Sequence, residues 1–245
     1  MNKKLSVAWL PILGLVFLTP SCEKKSESFD HDVFDVQRRN MVRLDLQEQG
    51  IKSERVLNAM MMVPRHLFLP DKYRDAAYTD ADISIGPFIT TPRPFIVART
   101  IELLDLTGEE KVLEVGTGRG YQSALLGDLA KEVYTIEIVP ELAKEAESLL
   151  KLLNYKNVHC KTGDGFQGWP DQAPFDAILV MAGAPSVPPP LLDQLAMGGR
   201  LVMPIGKADE QSLVLYRKTA SELKQESIMP IKLKPLEGQA ARHYW

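Results

Sequence analysis

From residue 111 the chain repeats one pattern: a short apolar run, a few turn residues, then a longer stretch with helical spacing. "KVLEV" is followed by "GYQSALLGDLAK", and "VYTIEI" by "PELAKEAESLLKLLN". "NVHCKTG" and "FDAILVMAG" lead to "PPPLLDQLAMGG", and "RLVMPIG" and "QSLVLYRK" close the series as strands. Strands alternating with helices through short connections form a mostly parallel sheet covered on both faces, with right-handed crossovers. The expected fold class is therefore α/β, a doubly wound, mostly parallel sheet. The prolines of "PPPLL" suit the first turn of a helix and the glycines of "AMGG" its end. Ligands of such sheets bind beyond the carboxyl ends of the strands, where the strand order reverses.

The segment before this pattern reads as helical over residues 34 to 70. In "VQRRNMVRLDLQEQG", Val36, Met41, Leu44 and Leu46 fall roughly on one face, and Gly50 is a C-cap candidate. "SERVLNAMMMVP" opens a second helix with Ser53 as N-cap and Pro64 as its stop. At this spacing Met60, Met61 and Met62 read as core. "ISIGPFITTPRPFIVAR" then breaks the helical spacing. Pro87, Pro92 and Pro94 cannot donate backbone hydrogen bonds, so the stretch is neither a central strand nor a helix interior. It reads as a stiff loop that enters a helix at about Phe95.

The first strand of the alternating region ends in "VLEVGTGRGY". Gly116, Gly118 and Gly120 make a tight turn whose backbone a ligand can approach. Glu114 stands two residues before the first glycine. A carboxylate so close repels a pyrophosphate but suits a ligand with an amino group and a positive sulfur. The spacing G-x-G-x-G also differs from the dinucleotide fingerprint, which disfavours a nicotinamide-dependent oxidoreductase. Glu137 ends the second strand, 17 residues past Gly120, where an acid can accept from both ribose hydroxyls. Asp164, between Gly163 and Gly165, ends the third and can accept from an adenine amine. Each acid has a plainer reading, as an exposed strand end or a turn former. Three acids at successive strand ends around one glycine turn point to S-adenosylmethionine.

Charge and composition exclude other classes. Of 245 residues, 45% are hydrophobic and 25% charged, enough for one large α/β domain or two small ones. The net charge of −3 supplies no basic field for nucleic acid. Two cysteines and four scattered histidines make no metal-ligand spacing. Residues 1–22 are different in kind. Lys3 and Lys4 precede "LSVAWLPILGLVFLTP", which has the n- and h-regions of a secretory signal. Ser21 before Cys22, with the polar "EKKSESFDHD" after it, resembles a bacterial lipoprotein signal. Cys22 would then carry lipid, and Cys160 is expected to be a core thiol. A simple cleaved signal and an uncleaved anchor are the alternatives.

"VLEVGTGRGYQSALL", "YTIEI", "TGDGFQGWPDQAPFDAILVMAGAP" and "LAMGGRLVMPIG" resemble the protein-L-isoaspartate O-methyltransferases, a class I S-adenosylmethionine-dependent family with a Rossmann-like fold. "GIKSERVLNAMMMVPRHLFLP" resembles that family's N-terminal helical segment and "IGPFITTPRPFIVART" its substrate loop, so the resemblance covers about residues 38 to 205. "IMPIKLKPLEG" looks like a looser version of the final segment. The expected organisation is a signal over 1–22, a polar linker over 23–35, a helical segment over 36–80, a methyltransferase core over 81–225 and a C-terminal segment over 226–245. The resemblance implies methylation of the α-carboxylate of L-isoaspartyl, and of D-aspartyl, residues in damaged proteins. The ester collapses to a succinimide, which hydrolyses partly to normal aspartate. Carried across by position, Glu114, Gly116, Gly118, Gly120, Glu137, Asp164 and Gly165 would hold the cofactor.

In the family's loop, Thr-Ile-Ser precedes a variable residue and a proline. Here Thr90 takes the threonine's place, Thr91 the isoleucine's and Pro92 the serine's. The serine is the family's active-site hydroxyl, so Thr91 is the nearest substitute, and Arg93 is either a carboxylate partner or an exposed loop charge. An isoaspartyl carboxylate is already ionised at neutral pH and needs no general base. Catalysis is then chiefly alignment. A lost positioning hydrogen bond costs about 1–3 kcal/mol, roughly 10- to 100-fold in rate. The expected partners are isoaspartyl proteins, with no nucleic acid, a membrane only through the N-terminus, and a monomeric state. The rivals are an idle protein of this fold and an enzyme for another carboxylate. Export to the periplasmic side favours the idle reading, because S-adenosylmethionine is made in the cytoplasm, the family's usual location.

Overall fold

The computed structural model describes residues 33–86, 89–207 and 209–244. The expected signal over 1–22, nearly all of the expected linker over 23–35, and Pro87 lie outside the described residues. Helix α1 (33–40) continues as a π-helical segment, Met41–Gln47, and α2 spans Glu54–Met62. Two 3-10 turns, Arg65–Phe68 and Asp71–Ala76, lead to strands β1 (Ile83–Gly86) and β2 (Ile89–Thr91) and helix α3 (Pro94–Leu104). The alternating region gives β3 (Lys111–Val115), α4 (Tyr121–Leu129), β4 (Glu132–Glu137), α5 (Pro140–Leu152) and β5 (Val158–Thr162). It continues through β6 (Phe175–Val180), α6 (Pro189–Gln194), β7 (Leu195–Lys207) and β8 (Glu210–Lys218). Strand β9 (Leu223–Ile231) and helix α7 (Gln239–Tyr244) follow.

The seven-stranded sheet has the order β5-β4-β3-β6-β7-β8-β9. Its first five strands run parallel, and β8 and β9 are antiparallel additions at one edge. The chain walks outward from β3 to β5, then crosses back to β6 on the other side of β3. The strand order therefore reverses at β3, which places the ligand crevice beyond Val115. Alternation along the strands sorts side chains to two faces. Val112 and Val133 join the N-terminal helices, α3 and α4 in one apolar cluster. Leu113, Val115 and Ile136 join Phe166, Phe175 and Leu191 in the other. Cys160 packs half-buried against the first cluster, and burial pushes its thiol up to about 12.

Four expectations change in detail. Met41, Val42 and Leu46 are buried in the first helix, whereas Val36 and Leu44 are exposed. The π-helical winding is the cause: its hydrogen bonds join residues five apart, and Met41 and Leu46 have that separation. Gly50 does end the helix, with φ +100° and the paired bonds Ile51 N–H to Leu46 O and Gly50 N–H to Gln47 O. Met60 is core, but Met62 is 72% exposed. "LAMGG" belongs to β7 rather than to the end of α6. Phe175 pairs with Leu195 but Ala177 with Arg200, so residues 196–199 bulge from the ladder. Gly198 has φ +81°, and a Cβ on Gly199 would lie 2.9 Å from the carbonyl oxygen of Asp176, which accounts for both glycines. The proline loop is a small antiparallel hairpin, β1–β2, separate from the main sheet.

Candidate active site

Beyond the carboxyl ends of β3, β4 and β6 lies a cavity of about 580 Å³. Its floor is the glycine turn. Gly116 has φ +99° and Gly118 φ +55°, and a Cβ added to Gly118 would meet nothing within 4 Å. The missing side chain there leaves open space at the mouth of the strand. Gly120 lies outside the cavity wall. It has φ +91°, and its Cβ would press at 3.3 Å on Ala146 and Leu150 of α5, so this glycine serves helix packing. Gly165 lies on the wall with no room behind it, since a Cβ there would fall 2.2 Å from Val115 Cγ1.

The three acids take three different positions. Glu137 lines the cavity. Its Oε2 accepts from Gly118 N–H at 2.8 Å and its Oε1 from Val139 N–H at 3.0 Å. Each carboxylate oxygen keeps a free lone pair. Glu114 is fully buried behind the turn, on the α4 face of β3. There Ser123 Oγ and, at 2.7 Å, Thr135 Oγ1 both donate to its Oε2. Thr135 is the residue directly opposite Glu114 in the parallel register, and its hydroxyl also bonds Thr117 of the turn at 2.6 Å. The Oε1 of Glu114 has no partner among the described residues. Burial pushes this carboxyl up to about 7, the Ser123 and Thr135 bonds opposing and the Glu137 charge adding to the rise. Asp164 caps the 3-10 turn Gly165–Gln167 through Phe166 N–H at 2.9 Å and accepts from Gln239 N–H at 2.7 Å. Its carboxylate thus ties the C-terminal segment to the end of β5.

The hairpin forms the opposite wall. Thr90, Thr91 and Pro92 all line the cavity. Two acids hold the exit of the hairpin: Asp82 accepts from Arg93 N–H at 2.8 Å and Asp80 from Phe95 N–H at 2.9 Å. The Arg93 side chain turns to Asp80 at 3.3 Å and lies outside the cavity wall. Four cations line the cavity: Arg119, which pairs with Glu145, Lys232, which pairs with Asp209, Lys234, and the buried Arg65, from the 3-10 turn after Pro64. Nothing in the local pattern of "VPRHLFLP" marks that arginine as buried, and no sequence signal separates it from a surface charge. The same turn touches the cofactor side as well, since Phe68 O accepts from Arg119 Nε at 2.9 Å inside the glycine turn.

The remaining wall comes from "IMPIKLKPLEG", whose loose likeness to the family's final segment gives it no place in a site. Residues 232–237 run along the cavity. Gly183 holds this strap from below, donating to Lys234 O at 2.7 Å and accepting from Leu236 N–H at 2.8 Å. Gln211 clamps it through both backbone groups of Leu233. The donors and acceptors are backbone groups and a glutamine on β8, so no motif announces them.

A family model described as Protein-L-isoaspartate(D-aspartate) O-methyltransferase matches residues 37–241. A protein-L-isoaspartate O-methyltransferase of Dictyoglomus turgidum is 45% identical over 213 residues, covering 87% of this chain and 96% of that relative. A solved protein-L-isoaspartate O-methyltransferase superposes with TM-score 0.74 at 26% identity, over 83% of this chain and 67% of that one. A Plasmodium falciparum structure described as a beta-aspartate methyltransferase in complex with S-adenosyl-L-homocysteine shares the fold at TM-score 0.71 and 22% identity, over 82% of this chain and 98% of that one. With its sheet order, its glycine turn and a match across nearly the whole described region, the chain belongs to the protein-L-isoaspartate(D-aspartate) O-methyltransferase family.

Proposed function

We propose that this protein methylates the α-carboxylate of L-isoaspartyl residues in damaged proteins, using S-adenosylmethionine, and so starts their repair through a succinimide. The observation that carries the reading is one cavity that joins the Gly116–Gly118 turn and Glu137 to the hairpin wall of Thr90, Thr91 and Pro92. The residues fit the cofactor. An open place beside Gly118 admits a ligand to the backbone. Glu137 offers two buried, backbone-anchored acceptors to a ribose diol, and Ile138, Val139 and Leu142 give an apolar surface for a flat base. The volume lies in the range of small-molecule sites.

When bound, S-adenosylmethionine supplies a methyl carbon bonded to a cationic sulfur, which a substrate carboxylate oxygen displaces. The protein's part is binding, alignment and exclusion of water. Glu137 and the glycine turn fix the cofactor's end of the line of attack. Glu114 acts from behind, holding Ser123 and Thr135, and through Thr135 the turn residue Thr117. The Thr91 hydroxyl is the candidate for steering the carboxylate, with Pro92 stiffening the wall beside it. The strap closes the side of the cavity and limits water around the reacting charges. No side chain need remove a proton, because the nucleophile enters as an anion. Asp164 is assigned to the adenine amine in addition to its bond to the C-terminal segment.

The test is methyl incorporation from labelled S-adenosylmethionine into an isoaspartyl peptide, with its aspartyl twin as control. Transfer to the first and not the second is expected. Tight binding of S-adenosylhomocysteine without transfer would mean an idle protein, and transfer to both would mean another carboxylate is the target. Residues 1–22 support a separate proposal, that the protein is exported and tethered at the periplasmic side by lipid on Cys22. Mass spectrometry of the mature N-terminus should find a diacylglyceryl-modified Cys22, and an intact Met1 would sink that proposal.

A further inference from the structure

Arg65 is 1% exposed, yet it lines the cavity. Its Nη2 donates to the carbonyl of Pro92 at 2.9 Å, and its guanidinium carbon lies 5.2 Å from the centre of the Tyr121 ring. Its Nε and Nη1 are buried and have no hydrogen-bond partner among the described residues. Nor does any carboxylate form an ion pair with it there. The two acids whose field it feels, Asp80 and Asp82, are engaged with the backbone of Phe95 and Arg93. A cation removed from water without an anion costs several kcal/mol. Burial accordingly lowers its affinity for its proton. A guanidinium held so, with two donors unpaired at the edge of a cavity, is half of an ion pair.

We propose that Arg65 supplies the other half to the substrate: it binds the carboxylate that is to be methylated. The assignment rests on the methyltransferase reading above and names the group that recognises its substrate. Position supports it. Arg65 Nη2 grips the backbone of the residue where the family's serine is missing, so the guanidinium stands beside that position. Chemistry supports it as well. Guanidinium to carboxylate is a charge-assisted pair, whereas the methyl ester is neutral. Arg65 therefore holds substrate more strongly than product, which favours release after transfer. Because the carboxylate loses charge on the way to the ester, the pair is stronger in the ground state than in the transition state. Arg65 should accordingly act on KM more than on kcat.

The experiment compares two ligands on the full chain loaded with S-adenosylhomocysteine: a fluorescent isoaspartyl peptide and its isoasparaginyl twin, in which a carboxamide replaces the carboxylate. Binding needs no turnover, so the result stands apart from the methyl-incorporation assay that judges the activity itself. The wild type should prefer the carboxylate roughly 10- to 100-fold, the range of a hydrogen bond to a charged group. Arg65→Gln should shrink that preference to within about twofold, and Arg65→Lys should lower it at least about threefold by losing the fixed donor geometry. In turnover, Arg65→Lys should raise KM for the peptide about tenfold while kcat changes less than about threefold. S-adenosylhomocysteine affinity reports folding, and if Arg65→Gln fails that control, Arg65→Lys and the wild-type preference decide. An equal affinity of the wild type for both peptides, or an unchanged preference in either folded variant, overturns the assignment.

Discussion

The two walls of the cavity are built on opposite principles. On the glycine-turn side, polar groups are bonded within the chain: Glu137 to two backbone amides, Thr117 to Thr135, and Thr135 and Ser123 to Glu114. One oxygen, Glu114 Oε1, is left over. On the hairpin side a buried guanidinium keeps two idle nitrogens, and Thr90 and Thr91 are paired through the β1–β2 ladder, their hydroxyls making no hydrogen bond among the described residues. A wall that satisfies itself holds one shape before the ligand arrives, as preorganised binding requires. A wall left unsatisfied depends on the ligand to complete it. The cofactor side should therefore fail by losing affinity or stability when its own bonds are cut. The hairpin side should fail by losing discrimination.

The largest effect is expected at Glu137. Replacing it with alanine removes the two acceptors offered to a ribose and releases Gly118 N–H and Val139 N–H. At about 2 kcal/mol for each charged hydrogen bond, S-adenosylhomocysteine should bind about 1,000-fold more weakly by isothermal titration. A loss below tenfold would show that the turn alone carries the binding, and the contrast between the walls would weaken. Next comes Glu114, where the self-satisfied wall has its one exception. Its carboxyl is raised from 4.5 to about 7 by burial. A raised acid is protonated in the folded state and ionised in the unfolded one between those values. Its contribution is therefore complete below the lower value and lost as pH rises through the upper one, by about 3 kcal/mol in all. Denaturant titrations at pH 5 and pH 8 should show that fall in the wild type and not in Glu114→Gln. Parallel slopes in the two proteins would mean that Glu114 titrates as an ordinary surface acid.

How well each wall can be read in the sequence follows from the same contrast. The cofactor side consists of residues at the ends of consecutive strands, so strand–helix periodicity and the glycine spacing suffice to place them together. Glu114 shows the limit of that reading. Its place two residues before Gly116 suggests a ligand contact, but it lies one residue inside the end of β3, behind the glycine turn, where Ser123 of α4 and Thr135 take it. The charge that faces the cavity belongs to Glu137. On the hairpin side, Arg65 and Pro92 are 27 residues apart, and only packing of the N-terminal segment brings them together. Arg93 has the better local argument, next to the altered loop position, yet Asp80 takes its side chain. The strap shows in the sequence only as a loose likeness to the family's final segment, and β9 escapes the local patterns: "LKQESIMPI" is a mostly exposed edge strand without an apolar alternation to announce it.

Asp164, next to the lining residue Gly165 but itself outside the lining, tests whether a bonded residue can serve the chain and the ligand at once. Alanine there removes the cap on Phe166 and the tie to Gln239, and the loss of such a cap is about 1.5 kcal/mol of stability. Binding should weaken too, but for the adenine assignment the telling measurement is selectivity. S-adenosylhomocysteine and its inosine analogue differ only in the exocyclic amine and the proton that follows from it. The wild type should prefer the amine, and Asp164→Ala should bind both alike. An equal preference in both proteins would leave Asp164 as a tether for the C-terminal segment alone.

Pro92→Ser should have the smallest effect, and it reaches furthest into the comparison. The substitution restores a hydroxyl at the position where the family carries its serine, on the wall short of partners. Arg65 binds the backbone carbonyl of residue 92, so its anchor survives the change. Proline's fixed φ does not, and the more flexible unfolded chain should lower stability by about 0.5–1 kcal/mol. The serine's hydrogen bond to the carboxylate forms in the ground state as well as in the transition state, so only part of it, about 1 kcal/mol, reaches kcat, which should rise about fivefold on an isoaspartyl peptide. KM should move little, because Arg65 already supplies the charge that binds the anion. A rise in kcat alone would divide the hairpin wall into a group that grips and a group that aims. A flat or lower kcat would mean that Thr91 already aims the carboxylate, and that the proline is part of this enzyme's fit to its substrate rather than a loss.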